Sequence, residues 1–215
     1  MTDPRSLRAL LRAPAPAELA GFRPVGPAER RQITDRYLDT AVVGGRLETA
    51  GYRARLRRGH GAIELTVKRR GTDTGARSER LELKGRATRS RRPPQWPASA
   101  ARDRLVAVAG DDPLVEVAAL RQRRLVRRFE RGATDVELSL DGLESLDGDR
   151  VVGRRWEVEI ELLTGDRDAL DALAAAIWNV PGVSEPEGSK LDFARAARGL
   201  PPIARPLQGL GAGLV

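Results

Sequence analysis

The sequence predicts an α+β fold: an antiparallel β-tunnel lined with charged side chains, with helices packed outside. Three observations predict it. Polar and apolar residues alternate along several short segments, as they do on the two faces of a strand. The charged faces are segregated by sign, basic in the early strands and acidic in the late ones. Helix-patterned segments flank these strands and offer apolar stripes that can cover the outside of the sheet.

In chain order, residues 3–12 read as a helix carrying Leu7, Leu10 and Leu11, ended by Pro14 and Pro16. A strand is expected at 32–39, closed by the turn Gly44-Gly45. Segments 52–58 and 62–69 form a hairpin around Gly59-His60-Gly61. A further strand is expected at 78–84 and an Arg/Pro/Ser-rich loop at 86–97. Helices follow near 98–109, with Leu105, Val106 and Val108 as its apolar side, and at 113–119. Strands are expected at 121–129, 134–140 and 151–163, punctuated by Asp141-Gly142 and by Asp147-Gly148-Asp149. The segment 166–179 is a strong helix, with Leu170, Leu173, Ala174 and Ile177 at helical spacing and Asp168 in its first turn. A short helix at about 190–198 follows. Residues 1–199 are expected to form one domain, and 200–215 a Pro/Gly-rich tail or linker.

Composition narrows the function classes. The chain has 215 residues, no cysteine and a formal net charge of +8. Disulfides and thiolate metal sites are excluded. No run of about 18 apolar residues is present, so no membrane helix is expected, and the default expectation is a cytoplasmic protein. Lysine occurs only at Lys68, Lys84 and Lys190, and arginine carries the rest of the positive charge. That balance favours an anionic partner.

The strand faces carry the chemical information. One face of 52–58 holds Arg53, Arg55 and Arg57; one face of 63–68 holds Glu64, Thr66 and Lys68; one face of 78–84 holds Arg80, Glu82 and Lys84. Later, Asp135, Glu137, Ser139 and Asp141 share a face, as do Arg155, Glu157, Glu159 and Glu161. Alternation alone also fits an open sheet with one face on helices and one in water. Like charges repeated along one strand repel, however, unless something compensates them. Closing the sheet sets basic strands opposite acidic ones across a lumen. Such a lumen suits a triphosphate, which carries roughly four negative charges near neutral pH. Arginine forks match phosphate oxygens, and lysine adds a point charge. Carboxylates beside phosphate call for a hard divalent cation, Mg²⁺ or Mn²⁺.

These segments resemble, in order, the motifs of the CYTH domain, the triphosphate tunnel metalloenzyme family, over roughly residues 33–198. They are Tyr37-Leu38-Asp39-Thr40, Ala54-Arg55-Leu56-Arg57-Arg58, Leu65-Thr66-Val67-Lys68, Arg80-Leu81-Glu82, Arg124 in a basic strand, Ser139-Leu140-Asp141, Glu157-Val158-Glu159-Ile160-Glu161, and Ser189-Lys190. The resemblance implies a closed or nearly closed eight-stranded antiparallel tunnel. It implies metal-dependent hydrolysis of a triphosphate or polyphosphate-bearing substrate, or in some members adenylate cyclisation. By the same likeness Arg55, Arg57, Lys68, Arg80, Arg124 and Lys190 would hold phosphates, with Lys190, Arg57 and Lys68 nearest the chemistry. Asp141, Glu157, Glu159 and Glu82 would hold Mg²⁺ or Mn²⁺, Glu82 alternatively orienting an arginine. A CHAD-like domain is the expected partner beyond the tail.

The E-x-E-x-K strand that opens the family pattern has no counterpart here. The chain begins Met1-Thr2-Asp3-Pro4 and passes directly into the helix. A second reading is therefore carried: a non-catalytic module that binds polyphosphate or a nucleotide. Nucleic-acid binding through Arg121, Arg123, Arg124, Arg127 and Arg128 ranks last, because the acidic strands would repel a phosphate backbone. Arg124 is expected to point inward and the other arginines into solvent. His60 reads as an exposed turn residue, and Trp96, Trp156 and Trp178 as packing residues.

Overall fold

The computed structural model describes residues 4–13, 19–59, 61–69, 82–185 and 187–201. Its elements, in chain order, are α1 (Pro4–Arg12), β1 (Arg23–Thr40), α2 (Arg46–Thr49), β2 (Tyr52–Arg58), β3 (Ile63–Arg69), β4 (Glu82–Ala87), α3 (Ala100–Ala109), β5 (Leu114–Arg131), β6 (Thr134–Asp147), β7 (Arg150–Thr164), α4 (Arg167–Trp178) and α5 (Lys190–Ala196). The strands follow the hydrogen-bonded order β4-β3-β2-β1-β5-β6-β7. Seven strands form among the described residues where the resemblance implied eight, and ahead of β1 Pro4–Arg12 form α1, the helix expected there. The hairpin tip at His60, the start of the expected 78–84 strand with Arg80, and residues 202–215 lie outside the described residues.

The contacts divide the chain into two compact units, Met1–Asp35 with Ala119–Arg198, and Arg36–Ala118 with Gly199–Val215. The first unit is built on β5, β6 and β7. The antiparallel register aligns Leu125, Leu140 and Val158 in one row and Phe129, Val136 and Leu162 in another. These residues pack with Leu7 and Leu11 of α1 and with Ala169, Leu173 and Ile177 of α4. Helix α4 starts where Asp166 accepts from the Asp168 backbone N–H, a side-chain N-cap. Trp178, at its far end, is 43% exposed rather than packed, since one residue past Ile177 it points about 100° away from the apolar stripe of Ala169, Leu173 and Ile177.

Arg127 breaks the expectation that every arginine of this run except Arg124 is solvated. Its register places it in the apolar row with Leu138 and Ile160, and it is buried. Its guanidinium donates to the carbonyls of Leu11, Ala13 and Gly26. Carbonyls at the end of α1 have no partner within the helix, so the buried charge and those orphan acceptors satisfy one another.

The second unit holds β2, β3 and β4, with Ala54, Leu56, Leu65 and Val67 packed on Ala101, Leu105 and Ala109 of α3 and on Leu47 of α2. The buried side of α3 is thus Ala101-Leu105-Ala109 at helical spacing, with Val106 and Val108 only partly covered. Gly85 is required here, because a Cβ would come within 2.2 Å of Ser99 Oγ at the α3 cap. Trp96 is buried as expected and donates to the Ser90 carbonyl.

Two further expectations are corrected. Residues 113–119 open β5 instead of forming a helix, in keeping with the strand preference of Val115 and Val117. Asp141-Gly142 lies in the middle of β6, not in a turn, and the reversal comes at Gly148 with φ 60°. Gly142 is small because the Trp156 ring covers it: a Cβ there would meet the ring at 2.8 Å.

Replacing Arg127 by Met should strip three carbonyls of a charged donor and cost about 2–4 kcal/mol. Urea unfolding measures it, and a change below about 0.5 kcal/mol would mean that those carbonyls find other partners.

Candidate functional site

In the first unit the polar faces of β5, β6 and β7 line up in rows. Arg124, Asp141 and Glu157 stand side by side in one; Gln122, Leu143 and Arg155 form the next. Helix α5 closes over this face. Gly153 and Ser145 are small where it lands: a Cβ on Gly153 would sit 2.6 Å from Ala197 Cβ, and Ser145 Oγ donates to the Ala194 carbonyl. A capping box at Ser189 and Asp192 starts the helix, so that Lys190 is its first residue. This cap and this landing bring the Lys190 amine down onto Asp141.

Asp141 is fully buried. Arg124 grips it with two hydrogen bonds of 2.7 Å, Nε to Oδ1 and Nη2 to Oδ2. The Lys190 Nζ adds a third at 2.6 Å to Oδ2. Arg124 also donates to Glu159 Oε2 at 2.5 Å, and Lys190 lies 2.9 Å from Glu159 Oε1 and 3.8 Å from Glu157 Oε2. Glu157 Oε1 takes a short hydrogen bond from Arg155. The Arg155 guanidinium in turn stacks 4.7 Å from the centre of the Phe193 ring on α5. Every oxygen of the three carboxylates therefore faces a cationic nitrogen.

The electrostatics follow from this crowding. Partial loss of solvent tends to raise the Glu159 carboxyl, whose side chain is still 45% exposed, but Lys190 and Arg124 outweigh it and hold the group down at about 2. Burial pushes the Glu157 carboxyl up; Lys190 and Arg155 pull against it, and the charge of Glu159 adds to it. For Lys190, burial works to lower the ammonium, yet Glu159, Asp141 and Glu157 together raise it above its ordinary value.

Two residues of this centre were not singled out in the sequence. Gln122 and Asp35 are both fully buried. Gln122 accepts from Lys190 at 3.2 Å through its carbonyl and donates a short hydrogen bond to Asp35 through its amide nitrogen. The available signal was parity: Gln122 is a neutral amide inside an arginine run, two residues before Arg124 and so on its face of the strand.

Of the other expected residues, those that the structure describes, Arg55, Arg57, Lys68 and Glu82, lie in the second unit. Across β2, β3 and β4 the register sets Arg53 beside Lys68 and Glu82, Arg55 beside Thr66 and Lys84, and Arg57 beside Glu64 and Arg86. Arg55 Nη2 donates to Thr66 Oγ1 at 3.2 Å. Glu82 sits 2.8 Å from Lys68 and 3.8 Å from Lys84. Burial tends to raise its carboxyl, but the hydrogen bond and charge of Lys68, with Lys84 and Arg55, bring it below the ordinary value. Asp39, from the Tyr37–Thr40 motif, is a local fastener: it accepts from the backbone N–H groups of Thr40, Leu47 and Glu48. Gly45 must be glycine beside it, with φ 61° and a Cβ position 2.2 Å from Asp39 Oδ2.

A family model for the CYTH domain matches residues 12–190. The chain belongs to the CYTH family. No curated protein matches it. Among solved structures it is similar to a protein from Hippeastrum, assigned as an adenylyl cyclase and described as having a dominant triphosphatase activity, at 21% identity over 92% of each chain and a TM-score of 0.64. It is similar to a protein of Bacillus halodurans assigned as an adenylate cyclase, at 15% identity over 75% of this chain and 81% of that one, with a TM-score of 0.53. A Pyrococcus horikoshii protein matches at 18% identity over 88% and 92%, with a TM-score of 0.51. At these identities the likeness is one of fold.

The CYTH family is metal-dependent. The carboxylates expected to hold that metal are hard oxygen donors of the right kind. Among the described residues, however, no group of three acidic or histidine side chains is arranged to hold an ion. Asp141, Glu157 and Glu159 are already neutralised by Arg124, Lys190 and Arg155, and Glu82 by Lys68. As they stand, these residues do not fit Mg²⁺ or Mn²⁺.

The charged form of Glu159 is favoured by folding. Its contribution to stability is complete above the ordinary value of 4.5 and disappears as the pH falls toward about 2. Glu157, being raised, works in the opposite sense and loses its contribution as the pH climbs. Replacing Lys190 by Met should move the Glu159 titration to higher pH, read from its side-chain carboxyl carbon by NMR. An unchanged titration would mean that Arg124 alone holds it.

Proposed function

We propose that this chain binds the phosphate chain of a triphosphate or other polyphosphate-bearing ligand and hydrolyses a phosphoanhydride bond. The observation that carries this reading is the cationic strand face: Arg53, Arg55, Arg57, Lys68, Lys84 and Arg86 against Glu64 and Glu82. Forked guanidinium donors on adjacent strand positions suit the closely spaced oxygens of successive phosphates. Membership of the CYTH family and the triphosphatase activity described for the Hippeastrum protein support hydrolysis over other phosphate chemistry. In this reading Arg55, Arg57, Lys68 and Arg80 bind and orient phosphates. In the first unit, taken by itself, Arg124 and Lys190 keep their carboxylates and would act only through their positive potential on negative charge that develops nearby.

A second reading is favoured by one observation. The carboxylates of the family's metal position are neutralised from within, which suits a module that binds polyphosphate or a nucleotide without turning it over.

Phosphate release from inorganic triphosphate, measured with and without Mg²⁺ or Mn²⁺, separates the two. Release supports hydrolysis; no release, with triphosphate still raising the melting temperature, supports binding alone. Under either reading, Arg55→Ala with Arg57→Ala should weaken triphosphate binding about 100-fold, from about 1.5–3 kcal/mol for each hydrogen bond between charged groups. Calorimetric titration measures it, and unchanged affinity in the folded double variant would overturn both.

A further inference from the structure

The centre around Asp141 is charge-balanced by side chains alone. Three carboxylates, Asp141, Glu157 and Glu159, meet three cations, Arg124, Arg155 and Lys190. Lys190 differs from the other two in touching all three carboxylates, at 2.6, 2.9 and 3.8 Å. It is also anchored by the neutral Gln122 carbonyl, which is itself oriented by the buried Asp35. Only 11% of its side chain is exposed. A divalent ion bridging these carboxylates would have to lie where the ammonium now lies, since Lys190 holds the oxygens that they turn toward one another.

We propose that Lys190 is the resident cation of this centre and excludes divalent metal from it in the ligand-free chain. The proposal deepens the phosphate-handling reading and rests on it only in taking this centre as the functional one. The physical basis is direct. A metal entering beside Lys190 would meet an ammonium within about 4 Å, a repulsion of several kcal/mol at a part-buried site. It would also have to break hydrogen bonds from Lys190 to buried acceptors, which have no water to replace it. The lysine is pre-positioned as well: the Ser189–Asp192 capping box starts α5, and Gly153 and Ser145 admit the helix against the sheet. The ammonium is delivered by the fold, so it need not be recruited from solvent.

The test uses Mn²⁺ alone, without triphosphate, so that its outcome is independent of whether the chain binds or hydrolyses one. Water-proton relaxation during Mn²⁺ titration reports ions bound to the protein. The wild-type chain is expected to bind Mn²⁺ only weakly. Lys190→Met should tighten Mn²⁺ binding at least about tenfold, the scale set by removing one positive charge within about 4 Å. Lys190→Arg keeps a cation and should behave as wild type, and adding Glu159→Gln to Lys190→Met should abolish the gain. Lys190→Ala serves in the same way should the methionine variant not fold. Equal Mn²⁺ affinity in the wild type and in the variants lacking the cation would overturn the proposal. So would wild-type binding that is saturable and lost on Glu159→Gln, which needs no lysine variant to read.

Discussion

A carboxylate with no exposure, in the middle of a long strand, sets the terms for the first unit. Asp141 taken out of water as an anion costs several kcal/mol unless it is fully paired. The pairing here is complete: a two-pronged guanidinium from the neighbouring strand and an ammonium from a helix that lands on the sheet. Much of the local architecture can be read from that requirement. Gly153 and Ser145 let α5 approach, Ser189 starts the helix at the residue before Lys190, and Gln122 steadies the amine from the side. On the reverse side of the same strands Gly142 admits the Trp156 ring, over which Arg8 stacks at 4.9 Å.

The second unit is organised differently. Its cationic face is partly exposed, with Lys68 at 44% and Lys84 at 65%. Lys68 and Lys84 share Glu82, Arg55 leans on Thr66, and Thr66 in turn donates to Glu64 at 3.4 Å. Ion pairs in such a setting contribute little to stability, because solvent screens them. They can exchange for a ligand anion at low cost. The buried centre of the first unit cannot do so without leaving Asp141 uncompensated. The same residue types, arginine, lysine and carboxylate, thus serve as an exchangeable surface in one unit and as a locked network in the other, and burial decides which.

How much of this was legible beforehand can be judged residue by residue. The in-and-out assignment of Arg55, Lys68, Asp141, Glu157 and Glu159 follows from alternation with a period of two, and the registers agree with it. Arg127 shows the limit of that rule. Its parity correctly assigns it to the apolar side, but nothing local says that a helix end with orphan carbonyls waits there. Residues 113–119 were misread because a short apolar run between Pro113 and an arginine-rich segment fits either period, and pairing to a neighbouring strand decided it. Asp141-Gly142 looked like a turn because glycine is usually explained by backbone freedom; here it is explained by the Trp156 ring, 2.8 Å from where a Cβ would stand.

By itself the sequence determined what depends on neighbours along the chain: which side chains share a strand face, where Asp166 and Ser189 start helices, and that basic and acidic strands are segregated. Those properties rest on local geometry and hydrogen bonding within a few residues. Tertiary structure alone decided which carboxylate meets which cation. The partners Arg124, Asp141, Glu159 and Lys190 are separated by 17, 35 and 49 residues in the bonds that join them. No local pattern encodes that Lys190 would lie against three carboxylates at once. Whether a carboxylate is a metal ligand or half of a salt bridge depends on which charge the fold brings within about 3 Å of it, where Coulomb attraction and desolvation are both largest.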